Sequence, residues 1–390
     1  MNLRTKRISQ LGRVVTGKTP PTSRQEYFGG DYLFVTPTDL DYNHYYCRTT
    51  ERTVSEEAKS ALPNQFVPAD AVMFTCIGAT IGKCAIAPAG CLTNQQINSV
   101  VANEHTDSKF LYYLLCHNVD IVKGLGGGSA TPIVSKSKFE EVELLVPSLR
   151  DQQAIADILS AYDDLIENNR RRMALLEEAA RQLYREWFVR LRFPGHEHTR
   201  ITNGVPEGWE RRTLGDLAEI TMGQSPESRH YNEDGEGLPF HQGVTDFGDR
   251  FVTHRIYSTA LNRLAEPGDI LCSVRAPVGR LNVTLDKIVI GRGLAALRSK
   301  TGHQSLLLQQ LRAHFFKEDL IGGGAIFASV TKKEFSAQEL LEHPERLKRA
   351  FEEVTVPCDE QIRVLHLQNK QLRAARDLLL PRLMSGEIAV

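Results

Sequence analysis

Several residue groups in this chain have the types, but not the full spacing, that phosphate chemistry uses. Gly78-Ala79-Thr80-Ile81-Gly82-Lys83 puts a lysine behind two glycines, as a phosphate loop does, yet it is one residue short, and Cys84 stands where Ser or Thr would hold magnesium. Gly291-Arg292-Gly293-Leu294-Ala295-Ala296 follows the apolar run Ile288-Val289-Ile290 like a dinucleotide turn, without a clear helix and ribose-binding acid beyond it. What survives is a glycine followed by a cation, which suits a tight turn presenting a positive side chain. Gly126-Gly127-Gly128 before Lys136, and Gly322-Gly323-Gly324 before Lys332-Lys333, read either as plain turns or as amides and cations that contact phosphates. The seven cysteines, Cys47, Cys76, Cys84, Cys91, Cys116, Cys272 and Cys358, form no Cys-x-x-Cys pair, so no metal site is expected. The chain holds no Asn-Pro-Pro-aromatic tetrapeptide of the adenine methyltransferases and no Asp…Glu-x-Lys nuclease pattern. These residues suit binding, and no catalytic set is expected.

The elements that position these groups occur twice. Ile8-x2-Leu11-x2-Val14-x2-Gly17-x2-Pro20 returns as Leu214-x2-Leu217-x2-Ile220-x2-Gly223-x2-Pro226, offset by 206. Ala79-Thr80-Ile81-Gly82-Lys83 answers to Ala276-Pro277-Val278-Gly279-Arg280 at an offset of 197, and Asn94-Gln95-Gln96-Ile97 to Gly291-Arg292-Gly293-Leu294. The glycine runs, with Lys136 and Phe139 against Lys332 and Phe335, repeat at 196. The period is that of a duplicated domain, not a solenoid. Short β-rich runs such as Tyr32–Val35, Ala71–Thr75 and Cys84–Ala87, with a helix near Phe110–His117, recur as Asp269–Val274, Leu281–Thr284, Lys287–Ile290 and a helix near Leu306–Phe316. This predicts an α+β fold of two similar domains.

After Val146-Pro147 the pattern changes. Ile155, Leu159, Tyr162, Ile166, Asn169, Met173, Leu176, Ala180, Leu183 and Trp187 alternate steps of four and three, the seam of a coiled-coil helix of about 35 to 39 residues. Asn169 sits where a register-setting polar residue would. After Val356-Pro357 a shorter stripe runs through Ile362, Leu365, Asn369, Leu372, Leu379 and Leu383, with Pro381 expected to kink or end it. Two such seams bury best against each other as an antiparallel pair. The expected organisation is residues 1–149, a first domain; 150–192, a central helix; 193–358, a linker and second domain; 359–390, a terminal helix.

At 390 residues and a net charge of −1, the chain is not one that binds nucleic acid by overall charge, though a local basic face is compatible. No apolar run reaches membrane-spanning length, and unpaired cysteines fit a reducing cytoplasm.

Taken together the chain resembles the specificity subunit of type I restriction-modification systems over essentially its full length. The carrying residues are Leu11…Gly17-Lys18-Thr19-Pro20, Pro68-Ala69-Asp70-Ala71-Val72…Gly82-Lys83 and Val146-Pro147-Ser148-Leu149-Arg150-Asp151-Gln152. In the second half they are Pro206-Glu207-Gly208-Trp209…Leu214-Gly215-Asp216, Pro267-Gly268-Asp269-Ile270-Leu271, Val356-Pro357-Cys358-Asp359-Glu360-Gln361 and Leu378-Leu379-Leu380-Pro381-Arg382-Leu383-Met384-Ser385-Gly386-Glu387-Ile388. The first copy lacks the Pro-x-Gly-Trp entry. The resemblance implies two target-recognition domains, each reading half of a bipartite double-stranded DNA site, with the helices as a ruler. It also implies two modification subunits carrying S-adenosylmethionine, and restriction subunits carrying ATP and Mg; this chain itself would hold no cofactor. Base reading uses Arg or Lys on guanine and Asn or Gln on adenine. The candidates are Lys18, Thr36, Thr38, Lys83, Gln95, Gln96 and Lys136 in the first copy. In the second they are Gln224, His241, Gln242, Arg275, Arg280, Arg292, Lys332 and Lys333. Two other readings are a specificity component of a type II-like fused methylase-nuclease, and a coiled-coil scaffold that does not bind DNA.

Overall fold

The computed structural model of the chain describes residues 2–42, 44–127, 132–315 and 329–390. The fold is α+β, and the chain divides into two compact units, Met1–Arg172 with Val364–Val390, and Met173–Arg363.

In the first unit, Arg4–Arg7 pairs antiparallel with Glu143–Val146, closing the domain's two ends on each other. A turn of helix, Ile8–Leu11, leads into Gly12–Thr16, the edge of an antiparallel sheet ordered Gly12–Thr16, Ile97–Ala102, Val72–Thr75, Cys84–Ile86. The β-branched and aromatic residues of Val72–Thr75 are all buried, as expected of a strand covered on both faces. A second sheet orders Arg52–Val54, Phe28–Val35, Cys91–Thr93 and Phe66–Val67, with its middle pair parallel. Helix Ser108–His117, capped by Asp107 accepting the Phe110 N–H at 2.8 Å, buries Phe110, Leu111 and Tyr113 against Phe74 and Phe139. Each such large side chain contributes roughly 1.5–3 kcal/mol.

The second unit repeats this plan. Glu210–Thr213 pairs with Glu339–Glu342, and the sheet order is Ala218–Met222, Leu294–Ser299, Ile270–Ser273, Leu281–Val283. A further five-stranded sheet is ordered Tyr231–Asn232, Tyr257–Ser258, Leu238–His241, Ile288–Ile290, Leu264–Ala265, its Leu238–His241 and Ile288–Ile290 again parallel. Helix Gln304–Phe315 takes the place of Ser108–His117.

The central helix spans Leu149–Tyr184 and passes through a widened π-helical turn, Arg185–Val189. The terminal helix spans Glu345–Met384. The two run antiparallel: Ile155 and Leu159 share the first unit's core with Leu383 and Met384, whereas Tyr184 and Phe188 pack with Leu347 and Phe351 in the second. Leu365 is buried in the first unit, where Tyr162, Leu372 and Leu379 are half-buried; Met173, Leu176 and Leu183 are half-buried in the second. The seam is more polar than the apolar repeat suggested. Asn169 donates through Nδ2 to Asn369 Oδ1 at 2.9 Å, and Asn369 Nδ2 to the Ile166 carbonyl at 3.3 Å. The buried Asp163 carboxylate accepts from the Tyr113 hydroxyl at 2.6 Å and from Arg376.

Two expectations about the terminal helix are corrected. It begins at Glu345, not after Pro357, and it continues past Pro381 to Met384. Both prolines are exposed, while Phe351, Thr355 and Ile362 carry the buried face on either side of Pro357. The loss of one N–H bond is therefore outweighed by burial on the opposite face. The counterpart of Val146-Pro147-Ser148 is Glu342-His343-Pro344, at the same offset of 196 that relates Leu149 to Glu345.

Candidate nucleic-acid interface

Backbone bonds make the equivalence of the two units residue-specific. Lys18 N–H donates to Thr93 at 2.8 Å, and Gln224 N–H to Ile290 at 2.9 Å; Asn94 donates to Val35 at 2.9 Å, and Gly291 to His241 at 2.8 Å. Thr75 donates to Lys83 at 3.0 Å and Ser273 to Arg280 at 2.9 Å; Val134 to Cys76 and Val330 to Val274, both at 2.9 Å. These pairs equate Lys18 with Gln224, Thr36 with Gln242, Lys83 with Arg280, and Gln95 with Arg292. Ile77 and Arg275 also coincide, each bridging to the equivalent residue of a later segment, Ile133 and Ser329.

The turn before the cation needs glycine in both units. Gly82 has φ +98° and Gly279 +86°, and a Cβ there would lie 2.3 Å from Val119 Cγ1 or 3.1 Å from Phe315 Cβ. The turn is thus pressed onto a helix and holds Lys83 or Arg280 in place.

In each unit a cleft opens at the ends of the parallel strand pair. In the first it is about 510 Å³ and lined by Thr36, Pro37, Thr38, Asp39, Glu51, Arg52, Ile77, Gly78, Ala79, Asn94 and Gln96, among others. In the second it is about 130 Å³ and lined by Gln242, Gly243, Val244, Ser273, Arg275, Ala276, Arg292 and Gly293. Thr36 and Gln242, Ile77 and Arg275, and Gln96 and Gly293 occupy matching places.

The structure gathers some candidates here and sets others apart. Thr36, Thr38 and Gln96 line the first cleft. Gln95 is exposed, its Oε1 accepting from the Thr19 hydroxyl at 2.8 Å. Lys18 is exposed, while Lys83 donates to the Pro37 carbonyl at 2.9 Å, so its cation braces the loop. Gln242, Arg275 and Arg292 line the second cleft, and Gln224 and Arg280 are exposed. His241 is different: it is fully buried, and its Nε2 lies 2.9 Å from His254 Nδ1, whose Nε2 is 2.9 Å from Asp286. Burial pushes it down to about 4, so it is neutral near pH 7 and offers nothing to a base edge. Its alternation along the strand puts Gln242 outward and His241 inward. Lys136, 3.5 Å from Glu140, and the exposed Lys332 and Lys333 open equivalent short helices away from the cleft linings. Gly128 and Gly322–Gly324 lie outside the described residues.

Sequence reasoning missed Asn94, Asp39 and Glu51 as cleft residues. Asn94 was within the repeated block, and its neighbours Gln95 and Gln96 pointed to it. Asp39 accepts from Thr36 N–H at 2.8 Å and from Glu51 N–H at 2.8 Å, shaping the loop from a position without a counterpart in the repeat. Among the described residues no helix is long and apolar enough to cross a membrane.

Two mixed α+β units of one plan, each with an outward cleft at the same place and joined by long antiparallel helices, define a duplicated recognition scaffold. Residues 2–178 match the type I restriction modification DNA specificity domain. The chain is 30% identical to a putative type I restriction enzyme MjaX specificity subunit of Methanocaldococcus jannaschii, over 72% of this chain and 68% of that one. It is 27% identical to the MjaIX specificity subunit of the same organism, over 99% of this chain and 93% of the relative. The fold is similar to the crystal structure of a type I restriction-modification S subunit from M. genitalium, with a TM-score of 0.59 at 16% identity, covering 98% of this chain and 96% of that one. The chain belongs to the specificity subunits of type I restriction enzymes.

Proposed function

We propose that each unit reads one half of a bipartite double-stranded DNA site and that the two long helices set the spacing between the halves. The observation that carries this reading is the pair of clefts on matching frames with different side chains at matching positions, as two different half-sites require. The chain is non-catalytic and acts in the cytoplasm as the recognition subunit of a larger complex. It docks two modification subunits, which bring S-adenosylmethionine, and restriction subunits, which bring ATP and Mg. With a net charge of −1 the chain alone binds DNA weakly, and affinity in the complex falls steeply with salt.

Exchange of residues 1–149 for the matching domain of a relative tests this. Methylated adenines mapped by single-molecule sequencing should change in one half of the site and keep the other. A change in both halves together sinks the one-unit, one-half reading, and methyl transfer by the purified single chain sinks the non-catalytic one.

A further inference from the structure

We infer that the cleft of the second unit reads guanine in the major groove through Arg275 and Arg292, while the first unit's cleft, built on the same frame, is set for an adenine edge. This rests on the proposed reading of half-sites and names the base chemistry within them.

The arginines of the second unit differ in whether a carboxylate engages them. In the second unit, Arg250 reaches Asp359 at 2.6 Å, Arg255 reaches Asp246 at 3.1 Å, and Arg298 reaches Asp269 at 2.8 Å. These guanidiniums are engaged in holding the fold. Arg275 and Arg292 are exposed, and among the described residues neither has a carboxylate partner. They line one small cleft that contains no acidic residue. The Arg292 backbone is nonetheless fixed, its N–H donating to Ser225 Oγ at 3.2 Å, and Arg275 is held by its bridge to Ser329. Fixed backbones with unengaged forks suit bidentate bonds to the O6 and N7 acceptors of guanine.

The equivalent places in the first unit carry the opposite chemistry. Ile77 replaces Arg275 and Gln95 replaces Arg292, and the cleft adds Asp39 and Glu51. Carboxylates repel the two acceptors of guanine and suit amino donors. Gln95 accepts from Thr19 through Oε1, and its amide remains the kind of group that pairs with adenine N6 and N7. The difference therefore lies in the side chains that a shared frame presents, together with the Asp39 loop of the first unit, which has no counterpart in the repeat.

The test uses the complete complex with its modification subunits. The recognised site is first mapped, and exchange of residues 193–358 assigns one half to this unit. Arg275→Ala, Arg292→Ala and Arg292→Gln complexes are then compared on duplexes in which each base pair of the site is replaced in turn. Each alanine variant should lose roughly tenfold to hundredfold preference for G·C at one position of the assigned half. Arg292→Gln should shift that position toward A·T. Base preferences in the other half should remain, which shows that the variant complex is assembled. The inference is overturned if the assigned half lacks guanine, if preferences are unchanged, or if the variants weaken on every duplex alike with a salt slope reduced by about one, the mark of a phosphate contact. If the exchange itself alters neither half, the half-site reading fails as well, so the two failures are distinguishable.

Discussion

At the residue scale, the matched glycines and one half-buried carboxylate carry predictions with a sign. Gly82 combines a positive φ with a Cβ position 2.3 Å from Val119, so Gly82→Ala meets both backbone strain and overpacking. Its cost should be about 2–4 kcal/mol in urea unfolding of the full chain. Gly279→Ala should cost less, because the nearest atom there, Phe315 Cβ, is 3.1 Å away. Glu352 is a different case. Burial raises its carboxyl from an ordinary 4.5 to about 7 even though Oε1 accepts the Leu306 N–H at 2.8 Å. The folded state therefore holds the proton more tightly than the unfolded chain. Its contribution is fully present below about 4.5 and is lost as pH rises through about 7. Glu352→Gln keeps an oxygen for Leu306 and removes the charge, so its melting temperature should exceed that of the parent at pH 8 and approach it at pH 5. An equal difference at both pH values would refute this.

At the element scale, the polar pair inside the helix seam is the feature to perturb. Asn169 and Asn369 satisfy each other within the first unit, so replacing one leaves the other buried without its partner. Asn169→Leu alone should destabilise by about 1–3 kcal/mol, and Asn169→Leu with Asn369→Leu should recover most of that loss. A double-mutant cycle by denaturant unfolding measures the coupling; additive effects would show that the bond is not the source. Asn169 was legible in the sequence as a polar interruption of an apolar repeat, and the central helix was legible from Ile155 onward. The start of the terminal helix was not. Val356-Pro357 looks like Val146-Pro147, but a proline on a solvent face leaves a helix intact when Phe351, Thr355 and Ile362 bury the other face. The pairing of Asp163 with Arg376 was also hidden, since a contact between positions 163 and 376 depends on which helix faces meet. In the same way the repeat showed that Lys83 answers to Arg280, yet only the hydrogen bonds equate Ile77 with Arg275, because one residue is missing between Arg275 and Gly279.

At the scale of the whole molecule, both unit boundaries fall inside the long helices, after Arg172 and after Arg363. A heptad inserted between Ala174 and Leu175 adds about 10 Å of helix, close to 3 base pairs of DNA, and turns the chain by roughly 20°. Methylation of the original site should fail, and recovered activity should map to the same half-sites with a longer spacer. A folded, assembled insertion variant that modifies the original sequence would show that the helix is only a tether.

The ladders that close each domain, Arg4–Arg7 on Glu143–Val146 and Glu210–Thr213 on Glu339–Glu342, have a consequence for how specificity changes over generations. They bring the place where the chain enters a domain beside the place where it leaves, and they hold it there by main-chain bonds that any sequence can make. Arg4, Thr5, Arg211 and Arg212 in these strands are exposed and ask little of their neighbours. A foreign domain spliced in at such a junction inherits a ready-made clasp, so recombination can bring in a whole domain in one event, provided that it keeps the contacts Tyr113 and the surrounding core make with Ile155, Leu159 and Asp163 of the central helix.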